Sequence, residues 1–313
     1  MLRDLFANNK NIIINTDIDG FLCGMLLQKY FNCKVVGFSN SKKTIWVDSS
    51  VKSIYDPIYI DLYVVNPDVT CIEQHIIGYD EEHNKQIASN PNKINPNLLR
   101  NKSFTVDYPH KYPFGTVHFL IALMEKEGID VDLPCMGIVR EFNNIELVTS
   151  ELILRADDAL YSTQGPYREN AIDWWGWLTN YSNRGRATKK LVQAVMDAGT
   201  KNASEIKNRT GRFFKSFGCD GIDGSFDNIT QNDGTLIYKI DPYINMLSAY
   251  FDVKLDVPHQ LVTHEGLFRR MQVMGRDKET LERITHMENL FSYAFIYGPF
   301  ARYPNFSYTT DME

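Results

Sequence analysis

Residues 11–20 read Asn-Ile-Ile-Ile-Asn-Thr-Asp-Ile-Asp-Gly, and no other segment constrains the fold as much. The apolar run Ile12 to Ile14 has the character of a buried strand at 12–16. Asp17 and Asp19 follow, then Gly20. From 21 to 31 a helical pattern sets Phe21, Leu22, Met25, Leu26 and Tyr30 on one face. Strand, acidic turn, helix is the opening unit of an α/β sheet. It puts two carboxylates at the carboxyl end of a strand, where open α/β sheets bind ligands. Two acids so close on a turn can face one hard cation such as Mg²⁺ or Mn²⁺. The plainer alternative is a polar turn in which Asp caps the helix.

More acids follow the same pattern. Residues 58–65, Ile-Tyr-Ile-Asp-Leu-Tyr-Val-Val, read as a second apolar strand with Asp61 inside it. An acid in an apolar strand is costly unless paired or metal-bound. A short apolar stretch at 69–72 then leads into Glu73-Gln74-His75. Three strand ends thereby deliver Asp17, Asp19, Asp61, Glu73 and His75. Such convergence suits a phosphoesterase in which two ions about 3.5–4 Å apart clamp phosphate oxygens.

On these residues the chain resembles the DHH phosphoesterase superfamily, in its RecJ-type exonuclease branch. Asn15-Thr16-Asp17-Ile18-Asp19-Gly20 is similar to the Asp-x-Asp-x-Asp-Gly motif of that branch. Asp61 matches the lone second-motif aspartate, and Glu73-Gln74-His75 stands where Asp-His-His is expected. Asn95-Pro96 and Tyr112-Pro113-Phe114-Gly115-Thr116-Val117 resemble the next motifs. Arg155-Ala156-Asp157-Asp158-Ala159-Leu160 resembles the fourth, with Arg168-Glu169-Asn170 following. The resemblance covers roughly residues 10–180. It implies Mn²⁺ or Mg²⁺, one or two ions, held by Asp17, Asp19, Asp61, Glu73, His75 and Asp157. It also implies hydrolysis of a phosphodiester or phosphoanhydride in a nucleotide or short oligonucleotide, with Asp17, Asp19, Asp61 and His75 as the catalytic set.

The departures point the other way. Asn15 replaces an acid, Glu73 replaces Asp with a longer reach, and Gln74 replaces a histidine by a poorer ligand. Only twelve positions separate Asp61 from Glu73, which leaves hardly any room for a helix between those strands. These changes suit a weaker or single ion. They also suit a degenerate, non-catalytic DHH-fold protein that binds a nucleotide or a protein partner. Against degeneracy, three inward acids without a cation repel one another. A further alternative starts from Asp17-Ile18-Asp19-Gly20-Phe21-Leu22, which resembles the Asp-x-Asp-Gly-Thr-Leu signature of haloacid-dehalogenase-type phosphatases. There Asp17 would be the nucleophile and Asp19 the acid/base. The expected Thr is Phe21 here, and no convincing lysine strand follows.

The expected fold class is α/β: a parallel-sheet DHH-type domain over 1–183, then a smaller, atypical, mainly helical α+β domain over 187–313. Length alone suggests about two domains. Strands are expected near 34–38 and 44–48, an Asn- and Pro-rich surface loop with one short helix over 80–111, and a strong helix over 115–127. Helical patterns recur at 145–160 and 169–180, and 182–186 reads as a linker. Beyond it come helices at 187–199 and 202–217, a loop at 218–234, a strand at 235–240, and helical segments near 242–250, 263–274 and 277–291. No Gly-Gly-x-His string of the family's usual accessory domain occurs.

A net charge of −6 excludes a global basic field for nucleic acid. No apolar run is long enough to span a bilayer, and the first ten residues lack a signal-peptide core. Five cysteines without a Cys-x-x-Cys pair read as reduced, in a cytoplasmic protein with no membrane partner. The oligomeric state is not legible.

Several residues carry two readings each. Arg269, Arg270 and Arg276 could clamp phosphate or line a solvated helix face. His110 and His118 flank the Tyr-Pro-Phe turn and could meet substrate phosphate or serve locally. His259, His264, Glu265 and His286 lack metal-site spacing and read as ordinary histidines. Asp220, Asp223, Asp227 and Asp233 miss the calcium-loop spacing and suit turns. Trp174, Trp175 and Trp177 suit either a base-stacking platform or a core.

Overall fold

The computed structural model describes residues 1–132, 139–142, 145–156, 167–201, 203–273, 277–296 and 304–313. Its centre is a seven-stranded sheet. The strands are β1 (Asn11–Asn15), β2 (Lys34–Ser39), β3 (Thr44–Asp48), β4 (Ile58–Ile60), β5 (Cys71–Ile72), β6 (Lys93–Ile94) and one distant strand, Leu261–Glu265. A hairpin, β7 (Val139–Phe142) and β8 (Ile145–Val148), intervenes in sequence, so the distant strand is β9. The order is β6-β5-β4-β1-β2-β3-β9. The first five are parallel; β3 and β9 run antiparallel at one edge. The α/β class with a mostly parallel sheet is therefore as the sequence indicates.

The strands form because both faces are covered. Ile12, Ile13 and Ile14 are fully buried, the pattern of a central parallel strand. The helix Ile18–Phe31 links β1 to β2 and starts three residues earlier than the apolar face suggests, because Asp17 caps it. The link from β4 to β5 holds no helix. Its loop is fastened instead by Lys93 of β6. The buried ammonium donates to the carbonyls of Val64 (2.8 Å), Asn66 (2.7 Å) and Val69 (2.6 Å). Burial lowers the Lys93 pKa.

One core cluster runs from Leu2 through Phe119, Trp174, Phe213, Tyr243 and Leu261. Residues on both sides of the expected linker at 182–186 thus share one core, and β9 completes the sheet that β1 begins. A second sheet, β10 (Leu267–Gln272), β12 (Asn305–Thr310) and β11 (Leu290–Ile296), has the order β10-β12-β11 and is antiparallel. It touches the main body through the bridges Val64↔Ser292 and Ile76↔Phe295.

Several local expectations give way to tertiary pairing. Residues 263–274, which pattern as a helix, lie largely in β9 and β10, because β3 offers an open edge that β9 satisfies. Residues 80–111 are not a bare loop: they hold the helices Glu81–Ala88, Pro96–Leu99 and Phe104–Asp107 besides β6. In 235–240 there are isolated bridges, Thr230↔Leu236 and Thr235↔Gln260, rather than a strand. Of 277–291 only Lys278–Thr285 is helical, and β11 starts at Leu290. The 145–160 stretch splits into β8 and the helix Thr149–Leu154. No helix among the described residues is long and apolar enough to cross a membrane.

Candidate functional site

The register of the parallel strands puts one polar residue at the carboxyl end of each. Asn15 pairs with Ser39, Ile14 with Ile60, Ile60 with Ile72 and Ile72 with Ile94. Across β2-β1-β4-β5-β6 the row is therefore Ser39, Asn15, Asp61, Glu73, Asn95, each at most 2% exposed. Buried polar groups need partners, and four of the five pair off within the row, while the Ser39 hydroxyl oxygen accepts the Ser41 N–H at 3.0 Å. Asn15 Nδ2 donates to Asp61 Oδ2 (2.7 Å) and to the Asp61 carbonyl (2.6 Å). Asn95 Nδ2 donates to Glu73 Oε1 and to the His75 carbonyl (2.6 Å). Asp61 has φ 66°, a left-handed conformation that Asp tolerates better than most residues. It is held there by its own N–H on the Ile72 carbonyl (2.8 Å) and by Thr116 Oγ1 on Oδ1 (2.6 Å).

Asp17 and Asp19 hang over this row. Asp17 Oδ1 accepts the Gly20 N–H at 2.9 Å and caps its own helix. At Gly20 a Cβ would stand 2.3 Å from the Asn15 carbonyl oxygen, so no larger residue fits the turn. Asp19 points at a different helix, Thr116–Lys126. Its two oxygens accept the N–H groups of Thr116 (2.6 Å) and Val117 (2.7 Å). A carboxylate on the first amides of a helix meets both unpaired donors and the positive end of the dipole. Gly115 makes that approach possible: a Cβ there would lie 2.7 Å from Asp19 Oδ2 and 2.7 Å from Ala156. All three aspartates bear on one group. The Cys23 thiol is pushed well up, first by burial, then by Asp19, Asp61 and Asp17. Asp61 thus sits one strand from Asp17, not on the far edge of the sheet.

Beside them Glu73 holds His75. Glu73 Oε2 accepts the His75 N–H at 2.6 Å and lies 3.6 Å from Nδ1 of its ring. The ring is 22% exposed, whereas Glu73 is buried. Gln74 is buried, with its side-chain nitrogen 3.4 Å from the His75 ring and its backbone carbonyl accepting from Asn97 Nδ2 at 2.7 Å. Asn97 Oδ1 in turn takes the Tyr112 N–H at 2.8 Å. The Asn-Pro and Tyr-Pro-Phe segments singled out in the sequence thus brace the Glu73-Gln74-His75 turn.

The remaining candidates divide. Asp157, Arg276 and Cys135 lie outside the described residues. The neighbours of Asp157 do come to the site: Ala156 abuts Gly115, and buried Arg155 donates to the Ile222 carbonyl at 3.4 Å. His110 is exposed and contributes its carbonyl to the Trp174 indole N–H at 2.8 Å. Arg269 and Arg270 belong to β10, the strand of the second sheet farthest from the bridge at Ile76, so these contacts do not bring them to the acids. His118 is buried, its Nδ1 accepting the Gly115 N–H at 3.1 Å, and burial lowers its pKa to about 4. Trp174 is core, with Trp177 edge-on at 5.3 Å. Phe21, where a phosphatase of the haloacid-dehalogenase type would have Thr, is buried against Tyr243.

Thr116, Asn95 and Asn97 carry the site's hydrogen bonds yet stand out in the sequence only as parts of short motifs. The 218–234 loop also enters. Phe226 N–H donates to the Thr16 carbonyl (3.0 Å), Thr16 Oγ1 to the Phe226 carbonyl (2.7 Å), and Ile18 N–H to the Asp223 carbonyl (3.2 Å). The loop's acids serve turns, as Asp223 on Ser225 and Asp233 on Thr235 illustrate.

No group of three or more His, Cys, Asp or Glu among the described residues is placed to hold a metal ion. The donor chemistry still suits one hard ion. Asn15 Oδ1 is buried with no hydrogen-bond partner, a neutral oxygen adjoining Asp61. Asp17, Asp61 and His75 add carboxylate and imidazole. Both oxygens of Asp19, of Asp61 and of Glu73 already hold donors of the chain, so an ion would have to share them. No protein-family model, no curated protein and no solved structure matches this chain.

Proposed function

We propose that the chain is a DHH-type phosphoesterase acting on a phosphodiester or phosphoanhydride of a nucleotide or short oligonucleotide, with one divalent ion rather than two. The observation that carries this reading is the row of acids and amides at the carboxyl ends of five adjacent parallel strands. Asp17, Asp61 and His75 would hold Mn²⁺ or Mg²⁺, with Asn15 Oδ1 as a neutral donor. A bound ion supplies a water acidic enough to act as hydroxide near neutral pH. Asn15 and Thr116 aim Asp61. Glu73 orients His75, whose ring is partly exposed and would be able to exchange a proton with solvent or substrate. Asp19 docks the helix Thr116–Lys126 and acts on the site through it. A cytoplasmic setting accords with Cys23, Cys33, Cys71 and Cys219, which are free and buried.

A second reading has its own observation. Both oxygens of Asp19, Asp61 and Glu73 accept donors of the chain itself. A degenerate, non-catalytic protein that binds a nucleotide or a protein partner would be built this way, with the acids turned into scaffold. Calorimetric titration with Mn²⁺, followed by turnover assays on dinucleotides and a generic phosphodiester, separates the two. Heat of binding with turnover supports the enzyme. Absence of both with Mn²⁺, Mg²⁺ and Co²⁺ leaves the binder. Turnover that survives Asp17→Asn overturns both, because the chemistry would then lie elsewhere.

A further inference from the structure

The second sheet has one open side. Its outer strand β10 pairs with β12 alone among the described residues, whereas β11 at the other end meets the main body at Val64 and Ile76. Just past β10, the Val273 N–H donates to the Pro304 carbonyl (3.0 Å), in register with the β12 ladder. That fixes the phase of the strand. Leu267, Arg269 and Met271 direct their backbone groups at β12, and Phe268, Arg270 and Gln272 direct theirs outward. Gly266 faces the same outer side, and its N–H meets the Lys43 carbonyl (2.7 Å) at the entry to β3. Up to that point β3 covers this side by pairing with β9; past it, no described residue does. The side chains set the edge apart. Arg269 and Arg270 point to opposite faces and both are exposed. Neither forms an ion pair, whereas nearby Lys42 and Lys43 pair with Asp227 (2.7 Å) and Glu265 (3.3 Å). Arg270 lies over the Phe268 ring at 5.6 Å and donates from Nε to Ser307 Oγ at 3.2 Å, which leaves its Nη atoms without a partner among the described residues.

We propose that β10 is a docking edge for an acidic, extended segment of another protein, which adds as an antiparallel strand in line with β3 and sets two neighbouring acids on Arg270 and Arg269 and an apolar residue on Phe268. Main-chain hydrogen bonds to the outward groups of Phe268, Arg270 and Gln272 would supply affinity, and side chains opposite the arginines would supply selectivity. A carboxylate directly across the strands is within reach of each guanidinium, whose planar fork suits it. Charge decides the occupant. The register that pairs two whole β10 strands would set Arg270 against Arg270, and charges on an edge discourage such pairing of copies. An acidic strand turns the same two charges into attraction. The docking edge is independent of the proposed hydrolysis, since β10 does not reach the acids at the ends of the parallel strands.

The test uses the full chain and a capped, fluorescent pentapeptide, Thr-Val-Glu-Glu-Val, read by fluorescence anisotropy at physiological salt. The wild type should bind it saturably, and the peptide with Lys for both Glu should bind at least about tenfold more weakly. The double variant Arg269→Glu, Arg270→Glu should reverse that preference. Strand addition is read on the peptide itself, by N-methylating alternate residues in each of the two phases. Only one phase faces β10, so one methylated peptide should bind like the parent and the other about tenfold or more weakly. Equal binding of the two phases would mean that the arginines attract anions without adding a strand, and overturns the proposal. So does an absence of saturable binding up to about 1 mM, or binding that the double variant leaves unchanged. If the double variant does not fold, the two methylated peptides on the wild type decide. Gln272→Pro removes one outward N–H and none directed at β12; a wild-type dimer in sedimentation that this variant dissolves would make a second copy the occupant and overturn the acidic segment.

Discussion

Asp19→Asn should destabilise the protein, with or without a cation. Three clustered acids suggest the opposite, since removing one of several like charges relieves repulsion in the metal-free chain. The structure gives Asp19 a different task. Its two oxygens take two helix-terminal N–H groups at 2.6 and 2.7 Å, and the side chain is buried. Hydrogen bonds to a charged group contribute roughly 1.5–3 kcal/mol each, and a charge at a helix start about 0.3–2 kcal/mol. Asparagine keeps one acceptor oxygen and turns an NH₂ toward the second amide. One charge-assisted bond, the dipole term and part of the other bond are lost, about 2–4 kcal/mol in all. At roughly 2–4 °C per kcal/mol for a chain of this size class, the melting temperature should fall by about 4–16 °C. Differential scanning calorimetry in chelator and again in Mn²⁺ reads this directly. Asp17→Asn is the internal control: Asp17 accepts the Gly20 N–H and is only half-buried, and asparagine caps a helix about as well as aspartate, so the change should cost well under about 1 kcal/mol. An Asp19→Asn protein that melts at or above the wild-type temperature in chelator would refute the helix-docking role and restore charge repulsion as the dominant effect.

Further perturbations have equally definite outcomes. Gln74→His should tighten Mn²⁺ binding in calorimetry if this position is a lost ligand, because imidazole is the better donor; an unchanged Kd in a folded variant would count against aligning Glu73-Gln74-His75 with Asp-His-His. Lys93→Met should cost about 2–4 kcal/mol in urea unfolding, because three buried carbonyls lose their donor. His83 and His118 are both held near pKa 4 by burial, below the usual 6.5. The unfolded chain therefore takes up protons that the native one refuses, and stability should decline as pH falls from about 6.5 toward 4. His118→Gln should flatten part of that slope in melts run across this range.

What the sequence made legible was local. Ile12 to Gly20 reads as strand, turn and helix because the apolar run, the Asp cap and the tight glycine lie within ten residues. Asp61 and Glu73 are visible as acids just after apolar runs. Their alignment with Asn15 was less accessible, since it depends on the order β5-β4-β1, which no local pattern encodes. The C-terminal half was harder still. β9 pairs Glu265 with Thr44 and Leu261 with Asp48, contacts more than 200 positions apart, and the helical spacing of 263–274 gave way to the open edge of β3. A linker near 182–186 looked sound by composition, yet Glu125 accepts the N–H groups of Ala187 (2.7 Å) and Thr188 (2.9 Å). It stitches the following helix to the first half.

That last contact repeats the device at Asp19. The helix Thr116–Lys126 is capped at its start by a buried acid from β1's turn. Near its end it presents Glu125 to the start of the helix Arg186–Lys201, and Glu127 just beyond it accepts the Leu2 N–H (2.7 Å). Buried acids on helix amides join elements that are distant in sequence, so an acid in this chain is not by itself a sign of a cation. The candidates that separate from this pattern are Asp17 and His75, which are partly exposed, and Asp61, whose donors are side chains and whose backbone is held in the left-handed region. A scaffold role explains Asp19 and Glu73 fully. It does not account for the buried Asn15 oxygen beside Asp61, which accepts from no donor of the chain.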